Sequence, residues 1–131
     1  RMQLALLGPA VVRKHCDIDE ARTYLTGFSG GGRVASMMMP YFQHLFAGAI
    51  FICGANPIAP LTEDQRAMAP AHRFVFLTGT GDFNLPDSHF AHEAYREAGF
   101  TETRLTVIDG LGHELPQGDA MADALSYLDS T

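Results

Sequence analysis

The chain has 131 residues, of which 47% are hydrophobic and 18% are charged. This length suits one domain with a single core and excludes two full-sized domains. Nine Lys and Arg residues against fifteen Asp and Glu residues give a formal net charge of −6, which excludes a basic surface for nucleic acid. No apolar run is long enough to predict a membrane span.

From residue 20 onward, short β-rich segments alternate with helical segments. This alternation predicts a parallel sheet covered by helices. Four strands are predicted, at residues 22–28, 45–53, 73–77 and 103–108, because each segment is rich in β-branched or aromatic residues. We therefore expect a single three-layer α/β/α domain over residues 1–131.

The predicted helices follow from apolar spacing and from start and stop signals. The strongest pattern spans residues 86–99 and ends at a glycine. A helix over residues 34–39 stops before Pro40, and one over residues 118–128 closes the domain. The apolar faces are expected to include Phe90, Ala91, Ala94, Tyr95 and Ala98 in the first of these helices, and Met121, Leu125 and Leu128 in the last.

Three further segments are less regular. Residues 4–15 have a helical pattern, which we expect Gly8 and Pro9 to interrupt. Residues 55–68 predict a loop that enters a short helix through a capping box at residues 62–65. The methionines at positions 37–39 are expected to fill the core near the sheet.

The two cysteines do not form a disulfide framework. Cys53 lies in an apolar run and is expected to be a buried thiol, whereas Cys16 lies outside the predicted strands. Neither cysteine indicates a cellular compartment, and the localisation is unknown from the sequence.

The most informative segment is Gly27-Phe28-Ser29-Gly30-Gly31, which fits the pattern G-x-S-x-G between a predicted strand and a predicted helix. Such a turn exposes a serine nucleophile, and side chains at Gly27 and Gly31 are expected to collide. The Gly30 N–H is the expected oxyanion donor. The alternative is a glycine turn that only packs or binds phosphate, although it lacks the lysine of a nucleotide-binding loop.

A serine nucleophile needs a histidine base and an orienting carboxylate. His113 follows the last predicted strand at the sheet edge where Ser29 lies. Asp82, in the loop after the third strand, is the preferred acid. Asp87 at a helix start and Asp109 in a turn remain alternatives.

The other histidines are expected to be ordinary surface or core residues. His89 and His92 share a predicted polar helix face without a third metal ligand nearby. We therefore predict no metal site. The remaining three, at positions 15, 44 and 72, are expected at the opposite edge of the sheet.

The segment 22–32, the Gly81-Asp82 loop and Gly110-Leu111-Gly112-His113 together resemble the C-terminal half of an α/β-hydrolase. The resemblance is to the polyhydroxybutyrate-depolymerase-like and carboxylesterase-like branches. It implies that Ser29 is the nucleophile, Asp82 the orienting acid and His113 the general base. The implied reaction is hydrolysis of small or polymeric carboxylic esters through an acyl-enzyme, without a metal or organic cofactor.

In such a hydrolase these would be the last four of eight strands, so the loop with the second oxyanion donor is expected upstream of this chain. The first strand would then have an exposed edge, which predicts self-association or pairing with an N-terminal half. The alternative function is an anion-binding or partner-binding module. Hydrolysis requires Ser29, Asp82 and His113 within hydrogen-bond reach, whereas binding requires only the turn.

Overall fold

The sheet has four parallel strands in the order β1-β2-β3-β4, and a computed structural model describes residues 1–130. The strands are β1 (Tyr24–Phe28), β2 (Gly48–Ile52), β3 (Arg73–Gly79) and β4 (Thr103–Ile108). The helices are α1 (Met2–Arg13), α2 (Gly30–Met38), α3 (Glu63–Met68), α4 (Leu85–Ala98) and α5 (Gly118–Asp129). Because all four strands are parallel, their carboxyl ends meet at one edge of the sheet. The predicted parallel α/β fold is confirmed.

Helices cover both faces of the sheet, which gives the three expected layers. Helices α2 and α4 pack on one face, and α5 packs on the other. Alternate residues of β3 divide between two apolar clusters: Phe74 and Phe76 lie in the cluster under α2 and α4, and Val75 and Leu77 lie in the cluster under α5. The near-continuous apolar strands are thus explained by burial on both faces.

Aromatic rings form most of the larger cluster. The rings of Phe74 and Phe76 each contact Tyr95 edge to face with centroids 5.1 Å apart, a favoured aromatic arrangement. The Tyr95 hydroxyl donates to the Ser36 carbonyl at 2.5 Å, so α4 is tied to α2 at a fully buried point. This packing holds together α2, which begins directly after Ser29, and α4, which begins shortly after Asp82.

Some element boundaries differ from the predictions. Strand β1 begins two residues later than expected, and β2 begins three residues later. Residues Glu20–Arg22 instead form a 3₁₀ turn, in which the Ala21 N–H donates to the Asp19 side chain. Helix α1 continues through Gly8 and Pro9, so the predicted interruption is wrong. A proline removes one backbone donor, and α1 is a surface helix without a fully buried residue. The capping box of α3 at Thr62 and Gln65 is confirmed.

Several apolar side chains that we expected in the core are exposed. Phe90 is 65% exposed, and Met37 and Leu125 also face solvent. In α4 the buried face passes through Ala91 and Tyr95, and in α5 it passes through Ala124 and Leu128. The apolar stripes are narrower than the residue spacing suggested, because only residues directly over the sheet are covered.

No helix within residues 1–130 has both the length and the apolar character needed to cross a lipid bilayer.

Glycines allow the turn between β1 and α2 to approach other backbone segments. A Cβ on Gly27 would overlap the backbone of Gly31, and a Cβ on Gly32 would overlap the carbonyl oxygen of Gly54. A Cβ on Gly31 would meet no atom within 4 Å. The expectation that Gly31 is required for steric reasons is therefore wrong, since the helix turns its Cα hydrogen toward open space. Gly32 is the second glycine that the packing requires.

Gly32→Ala and Gly31→Ala should affect stability in opposite directions. The first change forces α2 away from Gly54 and should lower the free energy of unfolding by about 1–3 kcal/mol, as overpacking does. The second restricts only the unfolded chain and should raise it by about 0.5–1 kcal/mol. Urea denaturation of the two variants and the parent chain measures both effects. Equal stability of the two variants would contradict the proposed close contact.

Candidate active site

Ser29 occupies a sharp, strained turn between β1 and α2. Its φ of 55° and ψ of −116° lie outside the regions that L-residues normally adopt, and such strain costs about 1–3 kcal/mol. The Ser29 N–H donates to the Ile52 carbonyl at 2.7 Å, and the Ser29 carbonyl accepts from the Arg33 N–H at 3.1 Å. The turn is therefore held from both the neighbouring strand and its own helix.

The side chain of Ser29 contacts the predicted histidine and, through it, the preferred aspartate. Ser29 Oγ lies 2.9 Å from His113 Nε2, and His113 Nδ1 lies 2.8 Å from Asp82 Oδ1. The three residues come from the loops after β1, β3 and β4. The parallel sheet thus brings together at one edge the three side chains that the sequence suggested.

Asp82 is almost completely buried and accepts several hydrogen bonds. Its Oδ2 accepts from the Thr78 hydroxyl at 2.7 Å, and its Oδ1 accepts from the Asn84 N–H at 3.0 Å as well as facing His113. Burial alone would raise the pKa of Asp82, but the hydrogen bonds from Thr78, Asn84 and His113 together hold that pKa below its ordinary value. The carboxylate is therefore ionised near neutral pH.

Cys53 and Asn84 contact the loops that carry Asp82 and His113. Cys53 is fully buried and has a positive φ of 51°. Its thiol lies 3.5 Å from the Glu114 carbonyl oxygen, while its own carbonyl accepts from Asn84 Nδ2 at 2.9 Å. Burial raises the pKa of the Cys53 thiol to about 11. Near neutral pH the Cys53 thiol is therefore protonated, and it packs between the loop that carries Asp82 and the loop that carries His113.

Arg33 joins the loops that follow β2 and β3. Its guanidinium donates to Asn56 Oδ1 at 2.9 Å and Asn84 Oδ1 at 2.9 Å, and it forms a 2.7 Å ion pair with Asp87. A further contact of 3.3 Å reaches the Ala55 carbonyl. Because Arg33 lies one helical turn after Ser29, it fixes α2 to the segment that carries the acid.

The sequence contained no signal for this supporting shell. Thr78 belongs to an apolar strand, and the partners of Arg33 lie 22 to 54 residues away. Hydrogen bonds over such separations do not produce local spacing patterns. The one available indication was proximity in sequence: Asn84 lies two residues after Asp82.

The alternative acids have other partners. Asp87 pairs with Arg33, and Asp109 accepts from the Thr80 hydroxyl at 3.3 Å. Within residues 1–130, Asp82 is the carboxylate that contacts this imidazole.

His92 is not on a solvated face, contrary to the prediction. Its ring lies 5.3 Å from that of Phe76, centroid to centroid, and its Nε2 is 3.0 Å from the Thr103 hydroxyl. Burial lowers the pKa of His92. Its role in the described structure is to fill the space between α4 and β4.

Among residues 1–130, Cys53, Asp82 and His113 also form a group that could hold a metal ion. Their ligand atoms lie within 4.8 Å of one another. A metal there would need the thiolate form of Cys53 and would displace the hydrogen bond between the other two residues. Without a bound metal, burial raises the pKa of the Cys53 thiol, so that this side chain is protonated near neutral pH.

The lowered pKa of Asp82 has a consequence for stability. A carboxyl group whose pKa is lower in the folded state stabilises the fold above its unfolded pKa of about 3.9, and this contribution is lost as the pH falls through the folded pKa. The difference in free energy of unfolding between the parent chain and Asp82→Asn should therefore be largest at about pH 6 and should shrink at about pH 3. Urea denaturation at both pH values tests this. A difference that grows toward acid pH would contradict it.

No protein-family model matches the chain, and no curated protein sequence matches it. Solved structures do match. A ferulic acid esterase is 19% identical with a TM-score of 0.74, over 93% of this chain and 56% of that one. An S-formylglutathione hydrolase from Staphylococcus aureus is 14% identical with a TM-score of 0.68, over 92% of this chain and 57% of that one.

A third structure, a thermostable esterase, is 25% identical with a TM-score of 0.59. The match covers 82% of this chain and 29% of the esterase. The chain spans a little over half the length of the first two proteins. Its four-stranded parallel sheet and five helices thus correspond to part of the α/β-hydrolase fold, which this chain shares with these esterases and hydrolases.

Proposed function

We propose that the chain carries the serine site of a carboxylic ester hydrolase, with Ser29 as nucleophile, His113 as general base and Asp82 as the acid that orients the base. The observation that carries this proposal is the unbroken line of hydrogen bonds from Ser29 Oγ through the imidazole to the buried carboxylate. The structural likeness to ester hydrolases supports the same reaction class.

The protonation states follow from the partners of each group. The Asp82 carboxylate is ionised and accepts, so His113 Nδ1 carries the hydrogen and Nε2 presents its lone pair to the Ser29 hydroxyl. When Ser29 Oγ attacks the ester carbonyl carbon, the hydroxyl proton moves to Nε2. The resulting imidazolium is stabilised by the carboxylate next to it.

The negative charge of the tetrahedral intermediate develops on the former carbonyl oxygen. The Gly30 N–H at the start of α2, together with the positive end of that helix, is the donor that we assign to this oxygen. When the intermediate collapses, the bond from carbon to the alcohol oxygen breaks and the alcohol takes the proton from Nε2. Water then attacks the acyl-enzyme in the same way, releasing the acid and restoring the Ser29 hydroxyl.

The hydrogen-bonded histidine and aspartate favour this function over an anion-binding module. Binding of an anion at the turn needs the N–H groups of α2 and uses neither side chain. A buried, ionised Asp82 with three hydrogen-bond donors is costly to assemble unless it is paired. Its alignment on an imidazole that reaches Ser29 is the arrangement that nucleophilic catalysis requires.

A fluorophosphonate should form one covalent adduct with this chain, at Ser29. The serine oxygen bonds to phosphorus and fluoride leaves, which requires the assembled base but no specific ester. Intact-mass measurement should detect the adduct in the parent chain and none in Ser29→Ala. The controls are Ser36→Ala and Ser88→Ala, whose serines are buried elsewhere. An adduct that persists in Ser29→Ala would exclude Ser29 as the reactive group.

Asp82→Asn should lower kcat for a soluble ester by about ten-thousandfold, the size of the effect in a serine protease triad. The amide cannot hold the imidazole in the tautomer that leaves Nε2 free. Asp87→Asn and Asp109→Asn are matched controls and should change kcat by less than about tenfold, because neither contacts His113. A similar loss in all three variants would argue against Asp82 as the orienting acid.

A further inference from the structure

Phe83 is an exposed aromatic side chain that lies directly on the proposed base. Its ring and the imidazole of His113 are stacked, with centroids 4.1 Å apart and planes inclined by 30°. The side chain is nevertheless 73% exposed, and Phe83 belongs to neither apolar cluster of the described residues. One face of the ring covers the histidine, and the remaining surface is free to contact another molecule.

The backbone presents this ring rigidly. Phe83 lies between Asp82 and Asn84, which are both buried and are joined by the bond from the Asn84 N–H to the Asp82 carboxylate. The Leu85 N–H donates to the Asp82 carbonyl at 3.0 Å, so the segment forms a tight turn into α4. With both neighbours fixed inward, the Phe83 side chain is directed outward over the site. An aromatic ring held in this way loses little conformational entropy on binding.

The chemistry of the site indicates which part of an ester passes this ring. On the proposed function, His113 Nε2 delivers its proton to the oxygen of the departing alcohol. The alcohol part must therefore lie beside the imidazole, next to which the Phe83 ring also lies, whereas the carbonyl oxygen lies toward Gly30. The other ring near His113, that of Phe28, is 5.1 Å away and belongs to the half-buried serine turn.

We propose that Phe83 is a specificity-determining residue that binds the alcohol part of the ester and favours an alcohol with a flat aromatic group. Offset stacking on an exposed ring stabilises an aromatic partner beyond the effect of its apolar area, by a factor of roughly three to ten in affinity. A saturated ring of similar size would bury a similar apolar area against Phe83 but would not stack on it.

Binding of two acetate esters to the Ser29→Ala chain tests this without requiring turnover. Benzyl acetate and cyclohexylmethyl acetate differ only in whether the ring of the alcohol is aromatic. In NMR titrations, benzyl acetate should bind about threefold to tenfold more tightly than its saturated counterpart. Phe83→Ala, added to Ser29→Ala, should remove most of this preference. Phe90→Ala is the matched control, since this ring is 65% exposed on α4 and should leave the preference unchanged.

Two results would overturn the proposal. In the first, Phe83→Ala leaves the preference for benzyl acetate intact. In the second, the Ser29→Ala chain binds benzyl acetate no more tightly than cyclohexylmethyl acetate, so that there is no aromatic preference for Phe83 to supply. The hydrolase proposal is tested separately by the fluorophosphonate adduct on the chain that retains Ser29. If no fluorophosphonate adduct forms but the preference for benzyl acetate is present and depends on Phe83, hydrolysis is refuted and the aromatic contact is supported.

Discussion

The close contact between the serine turn and the backbone after β2 is the constraint on which the candidate site depends. A Cβ on Gly32 would overlap the Gly54 carbonyl oxygen, and a Cβ on Gly54 would overlap the Ser29 carbonyl oxygen. The Ser29 N–H also donates to the Ile52 carbonyl. These contacts stabilise a positive φ that a serine would not adopt alone. The strained conformation in turn directs the Ser29 side chain away from the sheet and toward His113. Loosening the contact would allow the serine to relax into an ordinary helix start.

A second constraint is electrostatic and is centred on Asp82. Burial opposes its charge, while the Thr78 hydroxyl, the Asn84 N–H and the His113 imidazole stabilise it. A buried carboxylate that lost these donors would become protonated or would destabilise the fold. Asn84 couples this group to the rest of the site, because its amide reaches both the Cys53 carbonyl and the Arg33 guanidinium. The supporting shell thus keeps the charge, the tautomer and the loop positions consistent with one another.

The differences between the predicted and observed structures share one cause. Helical spacing identified the buried face of α4 but assigned Phe90 to it, although the sheet covers only a narrow stripe through Ala91 and Tyr95. Spacing likewise assigned His92 to a polar face, although it packs on Phe76. The glycine motif likewise assigned a steric requirement to Gly31, although a Cβ there would meet no atom within 4 Å. Each error concerns what lies opposite a residue, which spacing along the chain does not encode.

The sequence by itself determined the alternation of strands and helices, the parallel sheet and the sharp turn at Ser29, because these depend on local periodicity and on glycines close in the chain. It also indicated Ser29, Asp82 and His113, since each follows a predicted strand and parallel strands end at a common edge. Only the tertiary structure decided that Asp82, rather than Asp87 or Asp109, contacts the histidine. It alone revealed the supporting contacts of Thr78, Cys53 and Arg33 and the stacking of Phe83. These depend on distances between segments tens of residues apart, which packing sets and local sequence does not.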